Sequence, residues 1–307
     1  MLQPEHYDYV PMPDRGALKW PGGHRIAVIF TINCEFWPLT WDRTEPLYPG
    51  GPATIPHVLP GNVPDYANWT WREYGQRVGV WRLFDEFDRA GVPASCTING
   101  LTAQERRPIV DAANGRGWEI LAHNWAQTDI LSSYAGRPDE EREVIARVVG
   151  AYEDAVGRRP AGWLSSSLRS TDETPHLLKE LGFTYMACYL NDDQPYMMRT
   201  RHGPLVQIPY SNDINDFAVF SRGAMAASGA AERFRDEFDI LYEEGAESGR
   251  IMNIGLHPHV MGRGFAVKAL RSFLGYVKGF EGVWFPRRDE IAAWYAENHA
   301  AHIRPGE

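Results

Sequence analysis

The sequence has few basic residues relative to acidic ones, no long apolar run and no N-terminal stretch that resembles a secretory signal peptide. Its 307 residues contain 31 Lys and Arg against 40 Asp and Glu, a net charge of −9, which argues against nucleic acid or an anionic membrane as a partner. No apolar run approaches the ~20 residues of a membrane span. The first residues do not combine a basic start with an apolar stretch, as a secretory signal does. We therefore expect a soluble protein.

Cysteine is also scarce, and several well-known motifs are missing. Cys34, Cys96 and Cys188 have no metal-ligand spacing, and an odd number of cysteines without a signal fits a reducing cytoplasm better than a disulfide framework. There is no P-loop, dinucleotide fingerprint, H-E-x-x-H or G-x-S-x-G motif, so the common nucleotide, zincin and serine-hydrolase sites are not indicated.

What the sequence does contain is a regular alternation of strand-like and helix-like segments. Strands are predicted at 25–33, 92–98, 118–122, 161–164, 184–190, 204–209, 250–256 and 283–285. Helices are predicted at 78–90, 102–114, 139–156, 171–181, 231–244, 267–276 and 289–299. This order is typical of a mainly parallel βα array, and seven or eight units favour a barrel. We expect one barrel domain over 25–307, an irregular arm at 1–24 and a long functional loop at 36–76.

Three short polar clusters directly follow predicted strands that lie far apart in the chain. They are Asn33-Cys34-Glu35, His123-Asn124 and His257-Pro258-His259. In a strand–helix repeat the carboxyl ends of the strands meet at one rim, where the active sites of such folds lie. A carboxylate and two imidazoles can therefore share one pocket.

Each cluster also has a plainer interpretation. Because side chains alternate along a strand, Asn33 and Glu35 face one way and Cys34 faces the other, which predicts a packing role for Cys34. Charge seldom follows an apolar strand into a buried rim without a partner, and this favours a functional Glu35. A lone histidine such as His123 is more often bonded to a backbone carbonyl, and His259 could either support the groups that carry the chemistry or face solvent.

Polar loops follow other strands. The run Ser165-Ser166-Ser167 is predicted to form a polar lip and not to supply a nucleophile. The loops at 191–193 and 212–216 are rich in Asn and Asp, which favour ordinary turns. The second of them follows a strand and so falls on the same rim as the clusters.

Together these motifs resemble the polysaccharide deacetylase superfamily (carbohydrate esterase family 4), and within it the amide- and imide-hydrolysing branch of allantoinases and cyclic imide hydrolases. The resemblance runs from about residue 25 to the C-terminus and is carried by the order and spacing of the motifs. It implies a distorted (β/α) barrel of seven to eight units.

The first two motifs depart from those of the deacetylases. Asn33 stands where the catalytic-base Asp is expected, and Glu35 takes the metal-ligand or base position. The second motif, normally H-x-x-x-H with both histidines on zinc, here runs from His123 to Gln127. A divalent site is built from a carboxylate and two histidines, so Glu35, His123 and Gln127 are a poorer set. The resemblance implies a zinc ion that is weakly held or lost, and no other cofactor.

The later motifs match more closely. The third corresponds to Gly162-Trp163-Leu164 with Arg169 downstream, and the stretches 190–196 and 208–216 resemble late loops of the allantoinase branch. The last motif, Leu256-His257-Pro258, supplies the family's general-acid histidine.

The resemblance implies a hydrolase of carbon–nitrogen bonds other than peptide bonds, acting on a small amide, cyclic imide or allantoin-like ureide. Glu35 or His123 would take a proton from the attacking water and His257 would protonate the leaving nitrogen. Backbone N–H groups, Arg169 or a metal would hold the oxyanion. The candidate substrate-binding residues are Asn33, Trp125, Trp163, Arg169, Asp213 and Asn215, with Trp37 as a further candidate for the pocket wall.

Two alternatives stay open at this point. One is a metal-dependent N-deacetylase of an N-acetylated sugar, and the other is a catalytically inactive member that binds a ligand. The expected partner is a small-molecule substrate, and relatives of the allantoinase branch imply a homo-oligomer, either a tetramer or a dimer.

Overall fold

A sheet of mostly parallel strands forms the centre of the computed structural model, which describes residues 6–39, 54–55, 59 and 63–303. The strands are β1 (Ile26–Cys34), β2 (Ser95–Ile98), β3 (Glu119–Ala122), β4 (Gly162–Trp163), β5 (Tyr185–Met186), β6 (Tyr196–Met198), β7 (Leu205–Gln207), β8 (Arg250–Leu256) and β9 (Val283–Trp284). Their order is β6-β7-β5-β4-β3-β2-β1-β8, and β9 pairs with the start of β1. Among these strands only β6 and β7 pair antiparallel.

Helices cover the outer face of this sheet. They are α1 (Tyr66–Tyr74), α2 (Val80–Ala90), α3 (Gly100–Glu105), α4 (Arg107–Gly115), α5 (Pro138–Val156), α6 (Thr174–Glu180), α7 (Ala227–Glu244), α8 (Val267–Val277) and α9 (Arg288–Asn298). Phe30 of β1 packs edge-on against Phe87 of α2 and Phe273 of α8, with ring centroids 5.1 and 6.3 Å apart. Burial of such rings on the outer sheet face holds the helices in place.

The prediction of a distorted (β/α) barrel is confirmed. Central strand β1 is buried along its whole length, as expected for a strand covered on both faces. Within the described ranges no ladder joins the two edge strands β6 and β8, so the barrel is incompletely closed there. A hydrogen bond of 2.7 Å from the Ile251 N–H to the Asp193 carbonyl ties the loop before β6 to β8 beside this opening.

The interior of the barrel is polar, because the inward-facing positions of the strands carry hydroxyl, amide and carboxyl groups. Arg288, at the start of α9, is fully buried and donates to Thr31 Oγ1 at 2.9 Å and to Asn253 Oδ1 at 2.5 Å. Glu119 accepts from the hydroxyl groups of Tyr185 and Ser95. Burial raises the pKa of Glu119 to about 7. These bonds satisfy polar groups that would otherwise be costly to bury.

Several element boundaries differ from the predicted ones. The 36–76 stretch contains helix α1, which continues through a π-helical turn (Gly75–Gly79) into α2; residues 40–53, 56–58 and 60–62 lie outside the described part. The predicted helix at 102–114 is two helices separated at Arg106, because Pro108 begins a new helix and cannot continue the old one. Strand β6 was not predicted. In the described ranges no helix has the length and apolar character needed to cross a membrane.

Candidate active site

A cavity of about 470 Å³ opens at the carboxyl ends of the strands. Glu35 follows β1, His123 follows β3 and His257 follows β8, and all three line this cavity. The sequence places the three side chains far apart, and the parallel strand order brings them to one rim. The cavity has the size of a small-molecule site.

Glu35 is held from two sides. The indole N–H of Trp37 donates to Glu35 Oε2 at 3.1 Å, and the amide of Gln76, in the π-helical turn, donates to the Glu35 carbonyl. Burial would raise the pKa of Glu35, but the positive charge of His257, with smaller contributions from His123 and His259, lowers it to about 2. Glu35 is therefore ionised at neutral pH.

His257 lies between two carboxylates. Its Nδ1 is 2.7 Å from Asp216 Oδ1 and its Nε2 is 3.4 Å from Glu35 Oε1. Asp216 is fully buried, and its Oδ2 also accepts the backbone N–H groups of His257 and Met261 at 2.6 and 3.1 Å. Burial opposes a charge on His257, yet Asp216 and Glu35 together raise its pKa well above the usual value. The two carboxylates therefore favour the protonated form of the imidazole.

His123 has the opposite character. Its Nδ1 donates to the backbone carbonyl of Leu164, which follows β4, so its Nε2 carries a free lone pair. That Nε2 is buried and has no hydrogen-bond partner in the described part of the chain. Burial lowers the pKa of His123, although Glu35, the Leu164 carbonyl and the side chain of Gln127 oppose this shift. The site thus pairs an imidazole whose pKa is raised with one whose pKa is lowered.

The amide of Asn33 also faces the cavity, as the alternation along β1 predicts. Asn33 Nδ2 lies 3.1 Å from the hydroxyl of Tyr210, and Asn33 Oδ1 accepts from Thr97 at 3.1 Å. Asn215 Nδ2 is 3.1 Å from the same Tyr210 hydroxyl. Cys34, on the opposite face of the strand, is buried in the core as predicted.

The residues present do not fit the divalent ion that the resemblance implies. Gln127 Oε1 is already engaged by the Ser166 hydroxyl at 2.9 Å, and the charged His257 lies 3.4 Å from Glu35, where it would repel a cation. Among the described residues no group of three or more His, Cys, Asp or Glu side chains is placed to hold a metal ion. The donor set of one carboxylate, one imidazole and one amide falls short of a zinc site.

Arg169 and Asn215 line the cavity as predicted, but three other candidate substrate-binding residues lie outside it. Trp163 is completely buried, with its indole N–H on Ser165 Oγ at 2.9 Å. Trp125 packs under the guanidinium of Arg147, 3.4 Å from its ring centre. Asp213 is exposed and lines a separate hollow of about 90 Å³. None of these three side chains lines the cavity that contains Glu35, His123 and His257.

Two further candidates also have structural roles. Trp37 is buried and positions Glu35 without lining the cavity, under the guanidinium of Arg72 at 4.0 Å. His259 is buried against Trp71, and its ring centre lies 5.7 Å from that of His257. Of the two alternatives for His259, the solvent-facing one is therefore wrong, and a place behind the catalytic histidine agrees with the structure. The serine run forms part of the lip as predicted, since Ser165 and Ser167 line the cavity.

The residues that the sequence analysis missed are those that act through contacts across the fold. Asp216, Tyr210, Gln76 and Arg222 belong to this group. A signal for Asp216 was present, because the 212–216 loop was placed on the rim. Ordinary turn chemistry explains acidic loops equally well, so nothing in the sequence connected Asp216 with His257.

The whole chain resembles known proteins. No protein-family model matches it. A putative polysaccharide deacetylase of Schizosaccharomyces pombe is 29% identical over 91% of this chain and 93% of its own length. The crystal structure of a probable polysaccharide deacetylase from Pseudomonas aeruginosa PAO1 superposes with a TM-score of 0.80, at 31% identity, over 91% of this chain and 94% of that one.

A second solved structure is that of an allantoinase. PuuE allantoinase superposes with a TM-score of 0.80 at 30% identity, over 95% of both chains. Both structures match almost the whole chain, at 31% and 30% sequence identity, which is enough to assign the chain to the same superfamily. The chain belongs to the polysaccharide deacetylase superfamily and is a polysaccharide deacetylase-like hydrolase.

Proposed function

We propose that this protein hydrolyses a carbon–nitrogen bond, other than a peptide bond, in a small amide, cyclic imide or ureide. The single observation that carries the proposal is the contrast between the two histidines. His257 lies between the carboxylates of Asp216 and Glu35, which favours its protonated form. His123 bonds a backbone carbonyl through Nδ1 and so keeps a free Nε2 lone pair, and both rings line one cavity of about 470 Å³. Such a pair supplies an acid and a base at the same pH.

His123 is the better candidate for the base. Both oxygens of Glu35 already have partners, at 3.1 Å from the Trp37 indole and at 3.4 Å from His257, whereas His123 Nε2 has none among the described residues. Water bound at His123 Nε2 would lose a proton to it as its oxygen attacks the substrate carbonyl. Glu35 then serves to hold the charge of His257 and to orient its ring.

His257 supplies the proton that the leaving nitrogen needs. At 3.4 Å its Nε2–H bond to Glu35 is long, so the proton is available to a substrate nitrogen that enters the cavity. The tetrahedral intermediate collapses, the C–N bond breaks, and the proton passes from His257 Nε2 to the nitrogen. The products are a carboxylic acid, which ionises to a carboxylate, and an amine or urea group. The proton on His123 returns to solvent and His257 takes up a proton again, which restores both imidazoles for the next turnover.

The walls of the cavity favour a substrate rich in carbonyl oxygens. Arg169 and Arg222 both line it, and neither makes an ion pair with any described residue. Asn33, Gln127 and Asn215 add side-chain amides. Cyclic ureides and imides present two carbonyl groups in a compact ring. They suit a cavity lined by arginine and amide side chains better than they suit the mostly apolar pockets that bind drug-like ligands.

A panel of small substrates tests the proposal. Hydantoin, dihydrouracil, succinimide and an N-acetylglucosamine oligomer would be incubated with the wild-type protein and with His257→Gln, and ring opening or acetate release followed by NMR. We expect turnover of at least one cyclic substrate, lost in His257→Gln, and unchanged by a chelator. Acetate release that needs added zinc would favour the sugar deacetylase instead.

An inactive, ligand-binding member would give a third result. In that case no compound would be hydrolysed, although one of them would raise the melting temperature. Because the fit of Glu35, His123 and Gln127 to zinc is poor, elemental analysis is expected to find far less than one equivalent of metal. One tightly bound equivalent whose removal abolishes turnover would contradict the proposed mechanism.

A further inference from the structure

The phenol of Tyr210 has an unusual position in the cavity wall. It follows β7, is 5% exposed and lines the cavity beside His257. A methyl group added at Gly255 of β8 would lie 2.0 Å from the Tyr210 hydroxyl oxygen. The glycine therefore leaves the space that this hydroxyl occupies, as expected where a close approach is required.

The orientation of Asn215 can be assigned without ambiguity. Its Oδ1 is 2.8 Å from the backbone N–H of Phe217, which can only donate, so this atom must be the amide oxygen. Its Nδ2 is then the atom that lies 3.1 Å from the Tyr210 hydroxyl. Asn215 thus donates to Tyr210.

Asn33 donates to the same oxygen from the other side. Its Nδ2 is 3.1 Å from Tyr210 and its Oδ1 accepts from the Thr97 hydroxyl at 3.1 Å. A phenol oxygen can accept two hydrogen bonds and donate one. With both acceptor positions filled by amides, its own hydrogen has no acceptor among the described residues and is free for a group in the cavity.

We propose that Tyr210 is a catalytic residue that donates its hydroxyl hydrogen to the carbonyl oxygen of the substrate, and that Asn33 and Asn215 keep it in the donating orientation. This inference rests on the proposed function. A donor fixed before the reaction stabilises the negative charge that develops on the oxygen. Burial raises the pKa of Tyr210, so the phenol keeps its hydrogen at working pH.

The amide of Asn33 is then needed to keep the Tyr210 hydroxyl in its donating orientation. An aspartate there would accept the hydrogen of Tyr210 and turn it away from the cavity. Asn33→Asp restores the residue expected in the deacetylases, yet we expect it to lower kcat. A gain in kcat without added metal would contradict the role given to Asn33.

Two variants separate catalysis from packing. Tyr210→Phe is expected to lower kcat about 10²-fold, in the range seen for loss of one oxyanion donor, with a much smaller change in KM. Tyr196→Phe is the matched control, because the buried Tyr196 hydroxyl bonds Asn191 at 3.0 Å away from the cavity. It should lose stability but not kcat. Equal kcat losses in both variants would overturn the proposal.

The acidity of the phenol gives a sharper readout. Replacing Tyr210 with 3-fluorotyrosine makes the hydroxyl a stronger donor and a weaker acceptor. We expect kcat to be maintained or raised, whereas a hydroxyl that served only to accept from the two asparagines would give a less stable and slower enzyme.

A neutron structure of the deuterated protein is independent of substrate. The Tyr210 deuterium should point into the cavity, and a deuterium directed at Asn33 Oδ1 would refute the proposal even if the wild-type protein hydrolyses the panel. If nothing in the panel is hydrolysed, the proposed function fails, and the position of this deuterium still decides the orientation of Tyr210.

Discussion

Glu35→Gln is the substitution that most clearly separates charge from shape in this site. The amide keeps the size of the side chain and an oxygen that can accept the Trp37 indole N–H, but it loses the charge facing His257. The pKa of the Glu35 carboxyl falls from 4.5 to about 2 on folding. Since one pH unit corresponds to about 1.4 kcal/mol, the charge contributes about 3 kcal/mol to stability at pH 7.

The pH dependence of this loss has a definite sign. A depressed carboxyl pKa stabilises the fold above pH 4.5, and the contribution is lost as the pH falls toward 2. Urea denaturation should therefore show Glu35→Gln to be about 3 kcal/mol less stable than wild type at pH 7, and the gap should narrow by about 1 kcal/mol at pH 4. Turnover of the best cyclic substrate should fall about 10²-fold or more.

A matched control is available on the outer surface. Glu232 is exposed on α7, so Glu232→Gln should change stability by less than about 0.5 kcal/mol at either pH. If Glu35→Gln were as stable as wild type at pH 7, or if the gap did not change between pH 7 and pH 4, the ion pair with His257 would not hold the site as argued.

Three further substitutions test the supports of the site. Asp216→Asn removes the charge that raises the pKa of the general acid, so the alkaline limb of the pH–rate profile should move to lower pH; an unmoved limb would contradict this. Trp37→Phe keeps the ring but removes a hydrogen bond to a carboxylate, and urea denaturation should show a loss of about 1.5–3 kcal/mol; no loss would mean that the indole does not hold Glu35. Gly79→Ala would place a methyl group 1.9 Å from the carbonyl of the turn after β8 and should cost about 1–3 kcal/mol. Gly150→Ala, in open space on α5, should instead stabilise the protein by about 0.5–1 kcal/mol. Equal effects of Gly79→Ala and Gly150→Ala would contradict the close approach of Gly79 to the turn after β8.

The spacing of apolar residues along the sequence was enough to predict the barrel and the rim at which its strands end. Strand β8 was predicted with the bounds that it has, because the apolar residues Ile251, Met252, Ile254 and Leu256 form a short run between Gly249 and Pro258. The two-residue strands β4 and β5 were overextended, since the apolar residues around them continue into loops. Helix α1 was missed because its aromatic residues follow no clear helical stripe.

The site could be predicted as far as its strand ends. Glu35, His123 and His257 each end or follow a strand, and that position is visible in the sequence. The partners that shift the pKa values of these histidines could not be predicted in the same way. Asp216 reaches His257, and Leu164 reaches His123, only through the folded chain.

Aromatic residues were the least predictable class. Trp163 looked like a pocket residue because it belongs to a motif, yet it fills the core with an exposure of 0%. A tryptophan beside a catalytic motif serves packing and ligand contact equally well in sequence terms. The direction of the side chain distinguishes a packing role from ligand contact. The Trp163 ring packs against Phe183, with 5.6 Å between the ring centres.

Whether His257 is charged at working pH is the question on which the mechanism depends, and ¹⁵N NMR of histidine-labelled protein answers it directly. Between pH 6 and pH 8 both ring nitrogens of His257 should give the shifts of a protonated imidazole, while His123 should appear as a neutral ring protonated at Nδ1. A His257 that is neutral at pH 7 would contradict the account, because the leaving nitrogen would then have no proton donor.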